Sequence, residues 1–450
     1  VIRFALVLLL VSPVIAITAA EPTDVILGGT LLTPVGAERA GNAEGSIPVW
    51  TGGLTQPPAD YLPDRHEVDP FPDDQILFSI TASNVKQYAD RLSPGQRALL
   101  ERYPDTWHLN VYSSRRTAAY PQHVYDAFAR NAANAKLSTA GRGGVTGAEV
   151  TSPFPLPKSG VEVVWNHNLR WRGIRIERRE GSAAVTRAGR YTLVQSEQDW
   201  GFPYGFPDET PFKLRYPNLL VAIKSKIIAP GFLSGDGQLV WETIDQTDDP
   251  RKTWSYQRSL RRVVRLPYTG YQIPAPNTDG LRTVDDFGLY NGPPDRYEWT
   301  LLGKRELYIP YNAYRLHSRG IPVDSIVMAG HISPEHARYE LHRVWVVEGR
   351  LKEGARHAYS RRVFYVDEDS WQIAVADSYD MSGELWRVNE AHALNFYTVP
   401  VLWSTLEVFH DLKASRVLIN GLDNQQQPYR FREDGDPREF SPNALIYYLR

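Results

Sequence analysis

The chain contains no cysteine, and that absence removes several classes of protein at once. Disulfide scaffolds, thiolate metal centres and cysteine nucleophiles are impossible. So is a lipid anchor on an N-terminal cysteine. An excess of one charge is lacking too: 50 basic and 52 acidic residues leave a formal net charge of −2. The two signs are interspersed, so neither a nucleic-acid footprint nor a polybasic membrane patch stands out. Long apolar runs are missing beyond Glu21; Leu219–Ile223 and Val344–Val347 are only of strand length. Catalytic signatures are absent as well: there is no GxSxG elbow, no GxGxxG after a strand and no P-loop.

The first twenty residues are of another kind. Arg3 is their only charge, and Phe4–Ile17 is apolar apart from Ser12 and Pro13. Small residues Thr18, Ala19 and Ala20 precede Glu21. A short positive start, an apolar core and small residues form the pattern of a secretory signal peptide. The core falls short of the roughly 20 residues a spanning helix needs. Cleavage is expected after Ala20, or else after Ala16. The expected address is the periplasm of a Gram-negative cell.

The rest divides by texture, with expected regions at 21–160, 161–420 and a C-terminal tail at 421–450. The first is rich in Pro, Gly and Ala. Ser83 is expected to cap a helix through Leu92, and Ser93-Pro94 to open another that ends before Pro104. A third helix is expected over Pro121–Lys136, with Val124, Phe128 and Ala132 on one face. Gln56–Pro72 and Thr151–Lys158 carry too many prolines for regular structure and read as arms over something else.

From Val161 the chain turns strand-like. Tyr191–Ser196, Leu219–Ala229, Leu239–Ile244, Thr253–Leu266, Tyr339–Glu348, Arg361–Val366, Trp371–Ser378 and Leu385–Val388 are rich in β-branched and aromatic residues. Short turns at Ser234–Gly237, Asp367–Ser370 and Asp380–Gly383 imply antiparallel neighbours, because a parallel pair needs a long crossover. Tyr339–Val347 is apolar on both faces towards its end, so both faces must be covered. The expected fold is mainly β (α+β): one large, curved antiparallel sheet or unclosed β-barrel, with helices and proline-rich N-terminal arms packed on it.

Candidate chemistry is sparse. His331, His336 and His342 are spaced by five and six, which fits no helical zinc motif. Asp367 and Asp369 sit in a tight turn, where aspartates bond the local backbone; a hydrolase pair would need two carboxylates about 5 to 9.5 Å apart in a cleft. The loop Gly141–Gly144 holds one arginine and free amides that suit an anion. Aromatics are the anomaly. Twelve Trp and twenty-five Tyr make the chain 12% aromatic. Packing explains many of them, while others can line a pocket.

Several stretches together resemble one known family. They are Thr33–Asn42, Gly45–Leu54, Val68–Phe71, Arg102–Pro104, Trp165–His167, Arg305–Asn312, Asp377–Asp380 and Gly383–Arg387. This pattern is similar to the exported proteobacterial proteins of domain-of-unknown-function family 1329, over essentially the whole mature chain. The resemblance implies a LolA/LolB-like fold, an unclosed antiparallel β-barrel whose helices lid a hydrophobic cavity for acyl chains. It also implies traffic near an RND-type exporter or outer-membrane protein, with only transient membrane contact. It supplies no catalytic residue and leaves the N-terminal 140 residues without a counterpart in the fold.

The resulting expectation is a non-enzymatic carrier of a lipid, lipoprotein acyl chain or other hydrophobic small molecule, without cofactor or metal. Trp165, Trp171, Trp254, Tyr256, Trp345 and Tyr365 are its candidate ligand contacts. Arg172, Arg261 and Arg343, with Arg170 beside them, are candidates for a head group. The alternative is an aromatic-rich envelope scaffold or polysaccharide-binding protein with exposed tryptophans and no carrier cavity.

Overall fold

The computed structural model describes residues 26–138, 143–257, 261–267 and 270–449. The expected signal peptide lies outside them, as do Gly141 and Arg142. Among the described residues no helix is long and apolar enough to cross a membrane.

Strands β1 (Phe78–Ile80) and β2 (Leu109–Val111) come early, followed by the small separate pair β3 (Lys136–Ser138) and β4 (Gly144–Thr146). A run of six follows: β5 (Arg175–Val185), β6 (Leu193–Gly201), β7 (Leu219–Ala229), β8 (Gly237–Thr243), β9 (Lys252–Gln257) and β10 (Arg262–Leu266). The rest are β11 (Tyr297–Pro310), β12 (Tyr339–Leu351), β13 (Arg361–Asp367), β14 (Ile373–Tyr379), β15 (Leu385–Phe396), β16 (Val401–Asp411), β17 (Arg416–Leu422) and β18 (Arg430–Arg432). Helices are α1 (Pro94–Arg102), α2 (Gln122–Asn134) and α3 (Gly160–Leu169), then the short α4 (Pro211–Arg215), α5 (Tyr314–His317), α6 (Val323–Ile326) and α7 (Pro442–Tyr448).

Sixteen strands form one sheet, in the order β1-β2-β12-β13-β14-β15-β16-β17-β5-β6-β7-β8-β9-β10. β11 adds to β12 and β18 to β5, and β1 and β10 remain as unpaired ends. The sheet is therefore unclosed. All its pairs are antiparallel except a short parallel contact of β2 with β12. The segment Thr253–Leu266, expected as one strand, folds back on itself as β9 and β10.

Directly opposed residues of an antiparallel pair share a face, so register divides the side chains. Trp200, opposite Ile223 and Ile176, marks the inner face. That face carries the largest apolar cluster, including Val221, Val347, Phe364 and Ala391, and α2 and α3 pack on it. On α2 the buried face is Val124, Ala127, Phe128 and Asn131, whereas Ala132 is exposed. The outer face carries Val185, Val388, Val408 and Ile419, covered by α1 and its neighbours. Farther along, Phe206, Phe212 and Phe440 cover β7 and β8 on that side. Double coverage explains why strands such as β12 are apolar on both faces.

Local rules hold where they were clearest. Ser93 accepts from the Gln96 amide while the Gln96 side chain accepts from the Ser93 amide, a full capping box with Pro94 at the first helical position. Before it, Val85–Arg91 is a 3₁₀ helix that follows Asn84, and no side chain caps it. The third prediction shifts by a residue or two at each end.

Candidate functional site

α3 interrupts the strand-like texture just where strands were expected to begin. Residues 163–169 are all buried, so apolar side chains surround the helix and no amphipathic period is visible. Gly160 brings it close to β11: a Cβ there would lie 2.9 Å from backbone carbons of Trp299 and Thr300. Trp165 thus stands on a helix, and Trp171 in the loop after it.

His167 of α3 ties three segments together. Its Nδ1 accepts from the Ile373 amide at 3.0 Å, which leaves Nε2 to donate towards Gly288 O (3.0 Å) and Tyr290 O (3.1 Å). Burial, then Arg170 and Arg172, hold its pKa well below the ordinary value, so the ring is neutral. The carbonyls it meets belong to the segment 284–291, which crosses the inner face. There Gly288 and Leu289 are both left-handed, at φ 63° and 68°. Leu289 is fully buried in that conformation. Its anchor is Arg362, whose guanidinium binds Asp285 Oδ2 at 2.8 Å and Asp286 Oδ1 at 2.6 Å, all three wholly buried.

Under this segment lies a cavity of about 20 Å³. Trp165, Trp200, Ile223 and Phe287 give it apolar walls, and Arg172, Glu242, Asn168 and Asn291 bring polar groups to it. Such a volume holds about one water molecule. A second void of about 10 Å³ lies against Phe287, Arg178, Ser404, Glu407 and Asn420. Phe287 lines both.

The polar lining is incompletely partnered. Arg172 Nε, Asn168 Oδ1, Glu242 Oε2 and Asn291 Oδ1 are buried atoms without a hydrogen-bond partner among the described residues. Arg172 does donate through Nη2 to Asn168 O at 3.0 Å, and its guanidinium lies 4.9 Å from the Phe202 ring. Its side chain is half-buried. Burial pulls it down to about 10, offset only in part by Glu242 and Glu407. Arg170 is 6% exposed and donates to His167 O at 2.6 Å.

Of the residues expected from sequence, Trp165 and Arg172 converge here. Trp171 is buried alongside, its ring 5.2 Å from His123. Trp345 shares the inner face but at the β12 end, stacked on Trp371 with Lys304 over it at 4.7 Å. Tyr365 belongs to the outer-face core. Trp254 and Tyr256 stand opposite Leu239 and Gly237, so they point away from Glu242 and to the outer face. Arg261 is exposed in the β9–β10 turn. Arg343 holds the N-terminal arm instead, through Ala40 O at 2.9 Å and Glu38 at 3.4 Å. Phe287, Glu242, Asn168 and Asn291 were not anticipated, because nothing local marks them.

None of the twelve tryptophans is exposed. The acidic turn also departs from a simple solvated hairpin: Asp367, Glu368, Asp369 and Ser370 are all buried. Arg116 binds both oxygens of Asp369 at 2.8 and 2.7 Å and donates to Glu38 O. The arm from Val35 to Ala40 covers the turn, so no cleft of the kind a hydrolase pair needs is formed there. His342, Asp367 and Asp369 offer ligand atoms within 4.8 Å of one another, enough for a cation. Arg116 already engages Asp369, and Glu340 takes His342 Nε2 at 3.1 Å, so two of the three groups already have partners.

An uncharacterized protein of Pseudomonas aeruginosa is 44% identical over 442 residues, covering 98% of this chain and 96% of that one. A candidate outer membrane lipoprotein-sorting protein domain of Vibrio parahaemolyticus superposes with a TM-score of 0.43 at 13% identity, covering 64% and 98% of the two chains. A DUF1329 family protein of Desulfovibrio piger superposes with a TM-score of 0.41 at 15% identity, covering 61% and 92%. The model of the family "Protein of unknown function (DUF1329)" matches residues 79–446, and the chain belongs to that family.

Proposed function

We propose that this protein is a carrier, which encloses an amphipathic molecule between the inner face of β6–β8 and the segment 284–291. The observation that carries the reading is Phe287. It is a single aromatic side chain that lines two voids, on a segment that crosses an apolar face. In the closed state described here, the space holds about a water molecule and no acyl chain. Loading therefore needs the segment to move and the chain of the cargo to take the place of Phe287. Leu289 favours that movement, because its left-handed backbone stores roughly 1 kcal/mol that a displaced segment releases. Each cargo methylene then buried contributes about 0.8 kcal/mol.

In this reading residues 1–20 export the chain to the periplasm. The cargo is a lipid, an acyl chain or another hydrophobic compound, passed to an outer-membrane protein or an RND-type exporter. The exposed, coplanar tryptophans of a glycan-binding scaffold have no counterpart, which favours the carrier.

The test has two arms. Protein purified under native conditions from its source cells is extracted with chloroform and methanol, and mass spectrometry finds a bound amphiphile. Phe287→Ala raises uptake of the neutral dye N-phenyl-1-naphthylamine several-fold. No extractable amphiphile, with no dye uptake by either protein, ends the carrier reading.

A further inference from the structure

Four residues around the cavity bring unpartnered buried atoms to it, and these atoms are of two kinds. Arg172 Nε is a donor that carries positive charge. Asn168 Oδ1, Asn291 Oδ1 and Glu242 Oε2 are acceptors. The amide orientations are fixed by the partners of the opposite ends: Asn168 Nδ2 donates to Gly292 O at 3.2 Å, and Asn291 Nδ2 to Glu242 Oε1 at 3.3 Å. A buried polar atom left unpaired is costly, so such a set marks a place where something polar belongs. One water cannot satisfy one donor and three acceptors, because it has only two hydrogens to give.

Charge points the same way. Nearby ion pairs are already made, Arg178 with Glu180 at 3.0 Å and Arg251 with Glu242. Arg170, Arg172 and Arg282 remain, and no carboxylate of the described residues comes within 4.0 Å of any of them. Burial dominates the environment of all three, with Glu407 as the shared but distant counter-charge. A plainer role exists for two of them. Arg170 and Arg172 donate to carbonyls at the C-terminal end of α3, as cations there often do. That role leaves both Nε atoms unpartnered and does not touch Arg282. Guanidinium groups keep their protons inside proteins, so relief must come from an anion.

We infer that the cargo bears a phosphate with an ammonium or hydroxyl group a few atoms away, the phosphate on Arg172 and the N–H or O–H donor on Glu242, Asn168 and Asn291. This rests on the carrier reading for the apolar part of the cargo. Head groups of the ethanolamine phosphate or glycerol phosphate type have this chemistry. A quaternary ammonium head group does not, because it has no hydrogen to donate to the acceptor side. Glu242 matters here as much as Arg172: it rejects a plain anion from its own side of the cavity and asks for a donor.

Titration calorimetry of the full mature chain tests the inference, below the micelle concentration of each probe. The probes are dodecyl phosphoethanolamine, dodecylphosphocholine, dodecanol and free O-phosphoethanolamine. Dodecyl phosphoethanolamine is expected to bind at least tenfold more tightly than dodecylphosphocholine or dodecanol. Arg172→Gln removes the preference over dodecanol, and Arg172→Lys restores part of it. The wild type gains thermal stability on adding the favoured probe, a readout that needs no variant to fold. Equal binding of the three dodecyl compounds overturns the head-group inference and leaves the carrier standing. Free O-phosphoethanolamine binding as tightly as its dodecyl ester supports the head-group seat and ends the carrier reading. No binding by any probe ends both.

Discussion

Glu67 Oε2 lies 3.0 Å from His317 Nε2, across 250 residues of sequence, and joins a proline-rich arm to the body of the protein. On the other side of the ring, Asp423 Oδ2 meets Nδ1 at 2.9 Å. Burial alone lowers the imidazole pKa, but Asp423 and Glu67 outweigh it and raise it to about 10 from 6.5. The folded pKa lies above the unfolded one, so this stabilisation is complete below about pH 6.5 and is lost as pH rises through 10. Glu67→Ala should cost about 3 kcal/mol near neutrality, of the order expected when a buried pair loses one member. Denaturant unfolding at pH 7 and pH 10 checks it. The gap between wild type and variant should narrow at the higher pH; a constant gap would mean that Glu67 acts through packing alone.

Glu390 predicts a second pH effect in the same direction. Burial pushes this carboxyl up to about 7, although Tyr339 Oη at 2.9 Å and Gln96 Nε2 at 3.1 Å donate to it. The folded protein binds its proton more tightly between about pH 4.5 and 7, so stability falls as pH rises through that range. Asp377, raised to about 7 mainly by burial, adds to the slope. Glu390→Gln imitates the protonated form. Its melting temperature should exceed the wild-type value at pH 8 and match it at pH 5. If the two proteins melt with parallel pH profiles, the carboxyl is not titrating there.

Arg362→Ala tests whether the segment over the cavity is a separable unit. The substitution strands Asp285 and Asp286 in the interior and should cost about 3 to 5 kcal/mol. More telling is where the loss appears. Limited trypsin digestion should cut selectively at Arg282 or Arg296 in the variant while the strands resist. Cleavage spread over the whole chain would show that the segment opens only with global unfolding.

Gly36→Ala examines the arm that carries Val35 and Glu38. Gly36 has φ 88°, and an added Cβ would lie 1.9 Å from the carbonyl oxygen of Pro155. Neither the conformation nor the space accepts a methyl group. A loss of at least about 2 kcal/mol is expected, with protease access to residues 26–54 rising before the sheet unfolds. A variant as stable as wild type would mean that the arm is dispensable.

How much of this was readable beforehand depended on whether the information was local. α1 was legible because Ser93, Pro94 and Gln96 form a complete start signal. β7 was legible because Leu219–Ala229 is a run of strand formers, and it is found with those bounds. β5 escaped notice: Arg175–Glu180 is mostly charged, with Arg178 and Glu180 paired on the inner face where apolar residues are expected. α3 was hidden for the opposite reason, because burial on every side erased its period. The acidic turn looked like any solvated hairpin until Arg116 and the arm were seen to cover it. Trp165 and Arg172 could be named as candidates from residue type. Their meeting with Glu242 and Phe287 is set by long-range packing, which no local pattern encodes.

The parallel contact of Val111 with Tyr339 has a consequence for how the chain acquires its shape. Residues 78–111 are among the first to be made, yet their neighbours in the sheet and under α1 follow more than 200 positions later. Ser93 and Gln96 wait for Asp377 and Glu390, and Glu67 waits for His317. Until then the apolar sides of β1, β2 and α1 have nothing to lie against. Contacts of such long sequence separation close late, so the chain is expected to fold more slowly than one of the same size with local pairings.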